Sequence, residues 1–225
     1  MKISIFGLGY VGCVSAGCCA RMGHHVIGVD VSENKVNLIN QGRPTIIEEN
    51  VAELIRSGHE TGRITATTDA RKAVLNTDLT FIVVGTPSAS DGHLNLSAIY
   101  SAAREIGMAL REKKQFHVVA IRSTVLPGTN REVGRILEET SGKKRGEAFA
   151  VVSNPEFLRE GTAVYDYMNP PITLIGTEDR RAEQIMRQLY AELPGEFVST
   201  DIEVAEIMKY VNNTFHALKI VFGNE

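Results

Sequence analysis

The sequence contains no tryptophan, few cysteines and no long apolar run. Its three cysteines, Cys13, Cys18 and Cys19, fall within one predicted helix and form no Cys-x-x-Cys pair. Neither a zinc site nor a disulfide framework is therefore expected. No stretch approaches the ~20 apolar residues of a membrane-spanning helix, and Met1-Lys2 leads directly into a predicted strand rather than into a signal peptide. These absences indicate a cytoplasmic protein that binds no metal and no membrane.

Neither sign of charge is in large excess. The chain has 24 Lys and Arg against 27 Asp and Glu, which gives a formal net charge of −3. Nothing in this balance predicts binding to nucleic acid or to an anionic membrane. A length of 225 residues and a hydrophobic share of 43% suffice for one substantial core or two small ones.

Strand-like and helix-like segments alternate along the chain. The predicted strands are 2–6, 25–30, 63–67, 79–84, 117–121, 148–152, 172–176 and 196–199. The predicted helices are 10–22, 32–40, 47–57, 69–75, 95–111, 128–140, 179–192 and 201–225. Apolar runs such as 81–84 are typical of strands buried on both faces. The pattern predicts an α/β fold of the Rossmann type, with a doubly wound, mostly parallel sheet and helices on both faces.

A glycine-rich turn follows the first predicted strand, with glycines at Gly7, Gly9 and Gly12 around Leu8, Tyr10 and Val11. Gly7 permits a tight turn, Gly9 lets a pyrophosphate approach the backbone, and Gly12 lets the next helix pack close to the strand. The N-terminus of that helix presents free N–H groups to phosphates. The pattern predicts a dinucleotide site, and a glycine turn without a ligand is the alternative.

The second predicted strand ends at Asp30, 18 residues after Gly12. A carboxylate at this distance is suited to bind ribose hydroxyls, and it repels a 2′-phosphate. No arginine follows in residues 31–33. NAD is therefore favoured over NADP, although Lys35 is close enough to keep NADP open.

Polar loops follow two more predicted strands, where ligands bind in open parallel sheets. In segment 85–87, Gly85 permits close approach of a ligand and Thr86 offers it a hydroxyl. The alternative is that the segment is an ordinary turn. In 122–129, Thr124 is suited to hydrogen-bond a nicotinamide amide or a water. Arg122 either binds a phosphate or pairs with an acid.

A third loop, 153–161, and the final helix hold further candidates. Glu156 and Glu160 are four residues apart and share a face if the segment is helical, where a carboxylate can act as a base. The alternative is a solvated helix start. Lys209 and Asn213 have the same spacing and can stabilise and orient a developing oxyanion. The alternative for Lys209 is a solvated charge, and His216 is either packed or functional.

Together and in this order, these blocks resemble the UDP-glucose/GDP-mannose dehydrogenase family over essentially the whole chain. The matching segments are 7–12, 85–87, 122–128, 154–160 and 206–210 with Asn213. The resemblance implies oxidation of a primary alcohol of a nucleotide sugar to a carboxylate with two NAD. It also implies that a cysteine thiolate captures the intermediate aldehyde, and that water hydrolyses the resulting thioester.

The resemblance also implies roles for single residues. Thr124 positions water or nicotinamide, Glu160 serves hydrolysis as an acid or base, and Lys209 with Asn213 stabilises oxyanionic oxygen. The implied cofactor-binding residues are Gly7, Gly9, Tyr10, Val11, Gly12, Asp30, Lys35, Thr86 and Thr124. The implied substrate-binding residues are Glu156, Phe157, Leu158, Glu160, Lys209, Asn213 and His216.

The sequence departs from the family in length. Family members are roughly twice as long, and their nucleophilic cysteine lies in a Gly-x-Cys segment beyond the long helix, before a sugar-nucleotide domain. No segment here matches it, and Cys13, Cys18 and Cys19 are not candidates. We therefore expect residues 1–200 to form an NAD-binding domain and residues 201–225 to begin a long central helix. In the family that helix forms a dimer core, so a homodimer is expected.

Several functions stay open at this point. The amino-acid sequence of segments 38–42 and 170–176 favours GDP-mannose as the substrate, and UDP-glucose is the alternative. A protein that binds NAD(H) without turnover, as a sensor or interaction module, is a hypothesis from another class. A different hydroxyacid dehydrogenase of the same fold is a third, which segment 154–160 disfavours.

Overall fold

The computed structural model describes residues 1–89 and 92–224. These residues form one eight-stranded sheet with helices on both faces. The strands are β1 (Lys2–Phe6), β2 (His25–Val29), β3 (Ile64–Thr67), β4 (Leu79–Ile82), β5 (His117–Ile121), β6 (Phe149–Ser153), β7 (Ile172–Gly176) and β8 (Glu196–Thr200). All eight correspond to predicted strands.

The helices correspond to the predicted ones with one addition. They are α1 (Tyr10–Arg21), α2 (Glu33–Asn40), α3 (Val51–Glu60), α4 (Ala70–Leu75), α5 (Ser97–Glu112), α6 (Thr129–Ser141), α7 (Ala163–Met168), α8 (Arg180–Leu189) and α9 (Ile202–Asn224). Helix α7 was not predicted. Helix α3 begins later than predicted, because Asn50 has a left-handed φ of 64° and the chain becomes helical only after it.

The strand order is β3-β2-β1-β4-β5-β6-β7-β8. Every neighbouring pair is parallel except β6 and β7, which meet antiparallel through Ser153 and Gly176. The chain moves outward from β1 to β3 and then crosses back to β4, which lies on the other side of β1. Ligands of such sheets bind at this switch point, beyond the carboxyl ends of β1 and β4.

Two apolar clusters cover the two faces of the sheet. Ile5 and Phe81 belong to the cluster under α1, and their chain neighbours Phe6 and Ile82 belong to the cluster under α5 and α6. Successive strand residues point to opposite faces, so burial of both faces requires the continuous apolar runs seen in the sequence. This confirms the predicted doubly wound fold.

The three cysteines are packed in the first cluster. Each is fully buried, and burial raises the pKa of all three thiols, that of Cys19 to about 11. Among residues 1–89 and 92–224, no group of three or more His, Cys, Asp or Glu side chains is placed to bind a metal ion.

Helix α9 changes character along its length. Ile202, Ala205, Glu206 and Lys209 are buried against the domain, whereas every residue from 211 to 224 is exposed. That exposed part carries six large apolar side chains: Val211, Phe215, Leu218, Ile220, Val221 and Phe222. Within the described part of the chain, no helix has the length and apolar character needed to cross a bilayer.

Candidate functional site

The three glycines of the turn after β1 meet different steric requirements. Gly7 has a φ of +98°, and a Cβ there would lie 3.0 Å from the carbonyl oxygen of Val83. A Cβ on Gly12 would lie 1.8 Å from the carbonyl oxygen of Gly7, so only glycine lets α1 start this close to β1. No atom lies within 4 Å of the position of a Cβ on Gly9. Its missing side chain therefore leaves open space beside the backbone.

Helix α1 presents a free N-terminus to that space. Gly9 supplies no side-chain cap, and the first turn contains no acidic residue. The positive end of the helix dipole and its N–H groups remain available to an anion. Tyr10 and Val11, both predicted cofactor-binding residues, are the first two residues of this helix.

Asp30 directly follows β2 and is only 9% exposed. Its Oδ2 accepts hydrogen bonds from the Leu8 amide at 2.7 Å and from Lys35 Nζ at 3.3 Å. Its Oδ1 accepts one from the Ser32 amide at 2.9 Å. The carboxylate is thereby held beside the glycine turn, and Lys35 partly neutralises it.

A cavity of about 530 Å³ lies over the switch point. Gly7, Gly9, Asp30 and Lys35 line it together with apolar residues such as Val83 and Val84. Its size falls in the usual range for small-molecule and cofactor sites. An apolar cleft beside a ribose-binding carboxylate fits the adenosine half of a dinucleotide.

A second cavity, of about 270 Å³, continues from the glycine turn toward β5. Tyr10, Val11, Thr86, Thr124 and Glu156 line it together with Gly9, Gly85 and Arg122. The Thr86 hydroxyl donates to the Thr124 carbonyl oxygen at 3.0 Å, which ties the loops after β4 and β5 to each other. The structure thus brings Thr86, Thr124 and Glu156 to one cleft, on the side away from Asp30.

Residues 154–159 form no helix and 160–162 form a turn, so the condition under which Glu156 and Glu160 would share a helix face is not met. The side-chain Nδ2 of Asn154 donates to the Leu174 carbonyl oxygen at 2.9 Å, which ties the start of this segment to β7. Pro155 also disfavours helical geometry at the residue before it. Glu156 lines the second cavity, whereas Glu160 is exposed.

Lys209 forms a buried ion pair rather than a solvated charge. Its Nζ lies 2.9 Å from Glu156 Oε1 and donates to the Glu156 carbonyl oxygen at 2.6 Å. The two side chains are only 9% and 11% exposed, and the Phe157 ring lies 5.5 Å from the ammonium. A cation held this way beside a cleft is suited to stabilise negative charge on a bound oxygen.

The remaining predicted residues of α9 lie further along the helix. Asn213 and His216 are both exposed, and neither lines the two cavities described above. Leu158 is half-buried on a third cavity of about 350 Å³, on the other side of the Glu156 segment.

Arg122 contacts uncharged partners rather than forming an ion pair with an acid. Its Nη1 donates to Asn154 Oδ1 at 2.7 Å and to the Tyr190 hydroxyl at 2.6 Å, and the guanidinium lies 5.3 Å from the Phe81 ring and 5.4 Å from the Tyr167 ring. The residue is 6% exposed. It supports the segment after β6 from within the core.

Two carboxylates near the site were not predicted. Glu206 accepts hydrogen bonds from the Gly128 amide, the Asn130 amide and Asn130 Nδ2, each at 2.7 Å, and so joins α9 to the start of α6. Glu48 accepts from the Tyr10 hydroxyl and from the Gly161 and Ala163 amides. The hydrogen bond from Tyr10 is the main cause of the lowered pKa of Glu48.

The fold and the site define a dinucleotide-binding α/β domain. The steric demands of Gly7 and Gly12, the open space at Gly9, the uncapped helix and the carboxylate of Asp30 fit the pyrophosphate and the adenosine ribose of NAD.

Residues 1–194 match the profile of the NAD-binding domain of the UDP-glucose/GDP-mannose dehydrogenase family, and the chain belongs to this family. It is 52% identical to the GDP-mannose 6-dehydrogenase of Pseudomonas aeruginosa, over 100% of this chain and 52% of that protein. The chain thus spans about half the length of the curated relatives it matches. NAD is its cofactor.

The solved structures similar to this one include two nucleotide-sugar dehydrogenases. A ternary complex of GDP-mannose dehydrogenase from Pseudomonas aeruginosa has a TM-score of 0.98 and 51% identity, over 100% of this chain and 52% of the other. A UDP-glucose dehydrogenase from Pyrobaculum islandicum has a TM-score of 0.95 and 41% identity, over 99% of this chain and 51% of the other.

Proposed function

We propose that the chain is the NAD-binding half of a nucleotide-sugar 6-dehydrogenase that oxidises GDP-mannose to GDP-mannuronate with two NAD. The observation that carries the proposal is the single cleft lined by the glycine turn, Thr124 and Glu156, with Lys209 paired to Glu156 behind it. The identity of 52% to a GDP-mannose 6-dehydrogenase favours GDP-mannose. UDP-glucose is the second candidate, because a UDP-glucose 6-dehydrogenase of Rhizobium meliloti is 43% identical.

NAD, when bound, accepts hydride from the carbon that is oxidised. In this proposal, residues 7–12 hold the pyrophosphate, Asp30 binds the ribose, and Thr86 and Thr124 lie against the nicotinamide end. Because Lys35 forms an ion pair with Asp30, it also lies beside the ribose.

The substrate side of the cleft is proposed to use charge held in place by the fold. The Lys209 ammonium, already fixed at Glu156, stabilises negative charge that develops on the reacting oxygen, and Asn213 one turn later orients the same group. Glu160 acts as acid or base in the hydrolysis of the thioester. Residues 156–158 and His216 complete the substrate contacts.

The organisation of the chain is part of the proposal. Residues 1–200 form the NAD-binding domain, and residues 201–225 begin a longer central helix. The nucleophilic cysteine and the sugar-nucleotide domain come from sequence outside these 225 residues. The exposed apolar part of α9 packs against a second copy, because a surface of this kind marks an interface. The proposed compartment is the cytoplasm.

The proposal is tested by reading the source gene beyond codon 225 and assaying its complete product. We expect an open frame with a Gly-x-Cys segment, and two NADH formed per GDP-mannose consumed. Faster turnover of UDP-glucose would replace the substrate with the second candidate. A stop codon after residue 225, with NAD binding but no sugar oxidation, would contradict the enzyme and favour a non-catalytic NAD(H)-binding module.

A further inference from the structure

The carboxylate of Glu48 joins segments that are far apart in the sequence. Its Oε2 accepts hydrogen bonds from the Tyr10 hydroxyl at 2.6 Å and from the Gly161 amide at 2.9 Å. Its Oε1 accepts one from the Ala163 amide at 3.1 Å. The sequence separations are 38, 113 and 115 residues, so this one side chain connects the glycine turn with the loop after β6.

One end of this connection lies at the proposed NAD site. Tyr10 directly follows Gly9 and is the first residue of α1, where the phosphate-binding N–H groups are. It also lines the 270 Å³ cavity. A ligand that fixes the start of α1 therefore also restrains the ring whose hydroxyl is bonded to Glu48.

The other end lies at Glu160. This residue is exposed, so its position depends on the backbone on either side. On one side the Arg159 amide donates to Asp166 Oδ2 at 2.9 Å, a local contact with α7. On the other side the Gly161 amide donates to Glu48. Of these two anchors, the bond to Glu48 is the one that leads to the cofactor site.

We propose that Glu48 is a positioning residue that couples NAD at the glycine turn to the loop carrying Glu160. The significance for catalysis rests on the role proposed above for Glu160. An ionised carboxylate suits this task because it only accepts hydrogen bonds and so satisfies one hydroxyl and two amides at once. By thermodynamic linkage, ordering of the loop by NAD and tightening of NAD by the loop have the same magnitude.

The test is hydrogen–deuterium exchange of the 225-residue chain, with and without saturating NAD. In the wild type, we expect NAD to slow exchange in the 159–163 segment by roughly fivefold or more. In Tyr10→Phe, exchange without NAD stays close to wild type, because the two amide bonds to Glu48 remain, but the slowing by NAD is lost. In Glu48→Gln, the segment exchanges faster in both states. Glu49→Gln, at the exposed neighbouring position, is the control and behaves as wild type.

NADH binding is measured by fluorescence on the same samples. Equal slowing by NAD in wild type and Tyr10→Phe would overturn the coupling and leave the proposed function standing. So would NAD binding to the wild type without any change in the 159–163 segment. Absence of NADH binding by the wild type would overturn both.

Discussion

The substitution Glu206→Gln removes one buried negative charge from the junction between α9 and the Thr124 loop. Glu206 is 2% exposed. Its two oxygens accept three hydrogen bonds, from the Gly128 amide, the Asn130 amide and the Asn130 side chain, each at 2.7 Å. The carboxylate thus lies at the N-terminus of α6, where the helix dipole favours a negative charge.

The expected loss follows from these contacts. Hydrogen bonds to a charged group contribute about 1.5–3 kcal/mol, against about 1 kcal/mol for neutral ones. Glutamine keeps an oxygen for Asn130 but turns an NH₂ group toward the Gly128 amide, and a buried unsatisfied donor costs about 1–3 kcal/mol. Together these effects lower the free energy of unfolding by about 1.5–5 kcal/mol.

Urea denaturation followed by circular dichroism measures this loss as a lower midpoint at an unchanged m-value. Glu203→Gln is the matched control, because Glu203 lies on the same helix and pairs with Arg131 at the surface. An exposed pair contributes less than about 1 kcal/mol. Equal losses in the two variants, or a loss below about 1 kcal/mol for Glu206→Gln, would refute the reasoning.

Four further predictions concern the cofactor turn and the core. Gly9→Ala should fold as wild type but bind NAD about 10- to 100-fold more weakly, because its Cβ enters the space open to the pyrophosphate and costs a hydrogen bond to a charged group. Gly12→Ala should instead lose about 1–3 kcal/mol of stability or more, because its Cβ would lie 1.8 Å from a backbone carbonyl oxygen. Asp30→Ser should lower the preference for NAD over NADP by about tenfold or more, because it removes the repulsion of a 2′-phosphate and frees Lys35. Burial lowers the pKa of His117 to about 3, so the unfolded state binds the extra proton. As the pH is lowered from ~6.5 to ~3, the free energy of unfolding should therefore fall by up to about 1.4 kcal/mol per pH unit.

The controls separate these effects. NADH fluorescence titrations and urea denaturation are carried out on both glycine variants. A loss of stability in Gly9→Ala, or an unchanged affinity of that variant for NADH, would contradict the account. An unchanged ratio of NAD to NADP affinity in the Asp30 variant would contradict the role of its charge. His117→Gln cannot titrate, so a pH dependence as steep as that of the wild type would show that another group is responsible.

The strands could be predicted because each is a short apolar run that alternates with a helix. Helix α7 could not, because its six residues lie between Gly161 and Pro170 and are too few to show a helical period. The start of α3 was misplaced for a local reason. Apolar Ile46 and Ile47 extend the helical pattern backward, whereas the left-handed backbone of Asn50 breaks it.

The glycine turn and Asp30 could be predicted because they belong to one continuous strand–turn–helix–strand unit, in which their spacing along the sequence is fixed. Glu48 and Glu206 could not, because their partners are 38 to 115 residues away and only the folded sheet brings them together. The burial of Lys209 was missed for the same reason. A helical period places the side chain on a face but does not say that Glu156 lies opposite.

The central claim is that NAD binds along the carboxyl edge of the sheet, from Asp30 across the glycine turn to Thr124. Mapping NAD on the amide spectrum of the ¹⁵N-labelled chain by NMR tests it most directly. We predict saturable shifts at Gly9, Tyr10, Asp30, Thr86 and Thr124, with one site per chain. Shifts confined to another surface, or no shifts at millimolar NAD, would contradict the account.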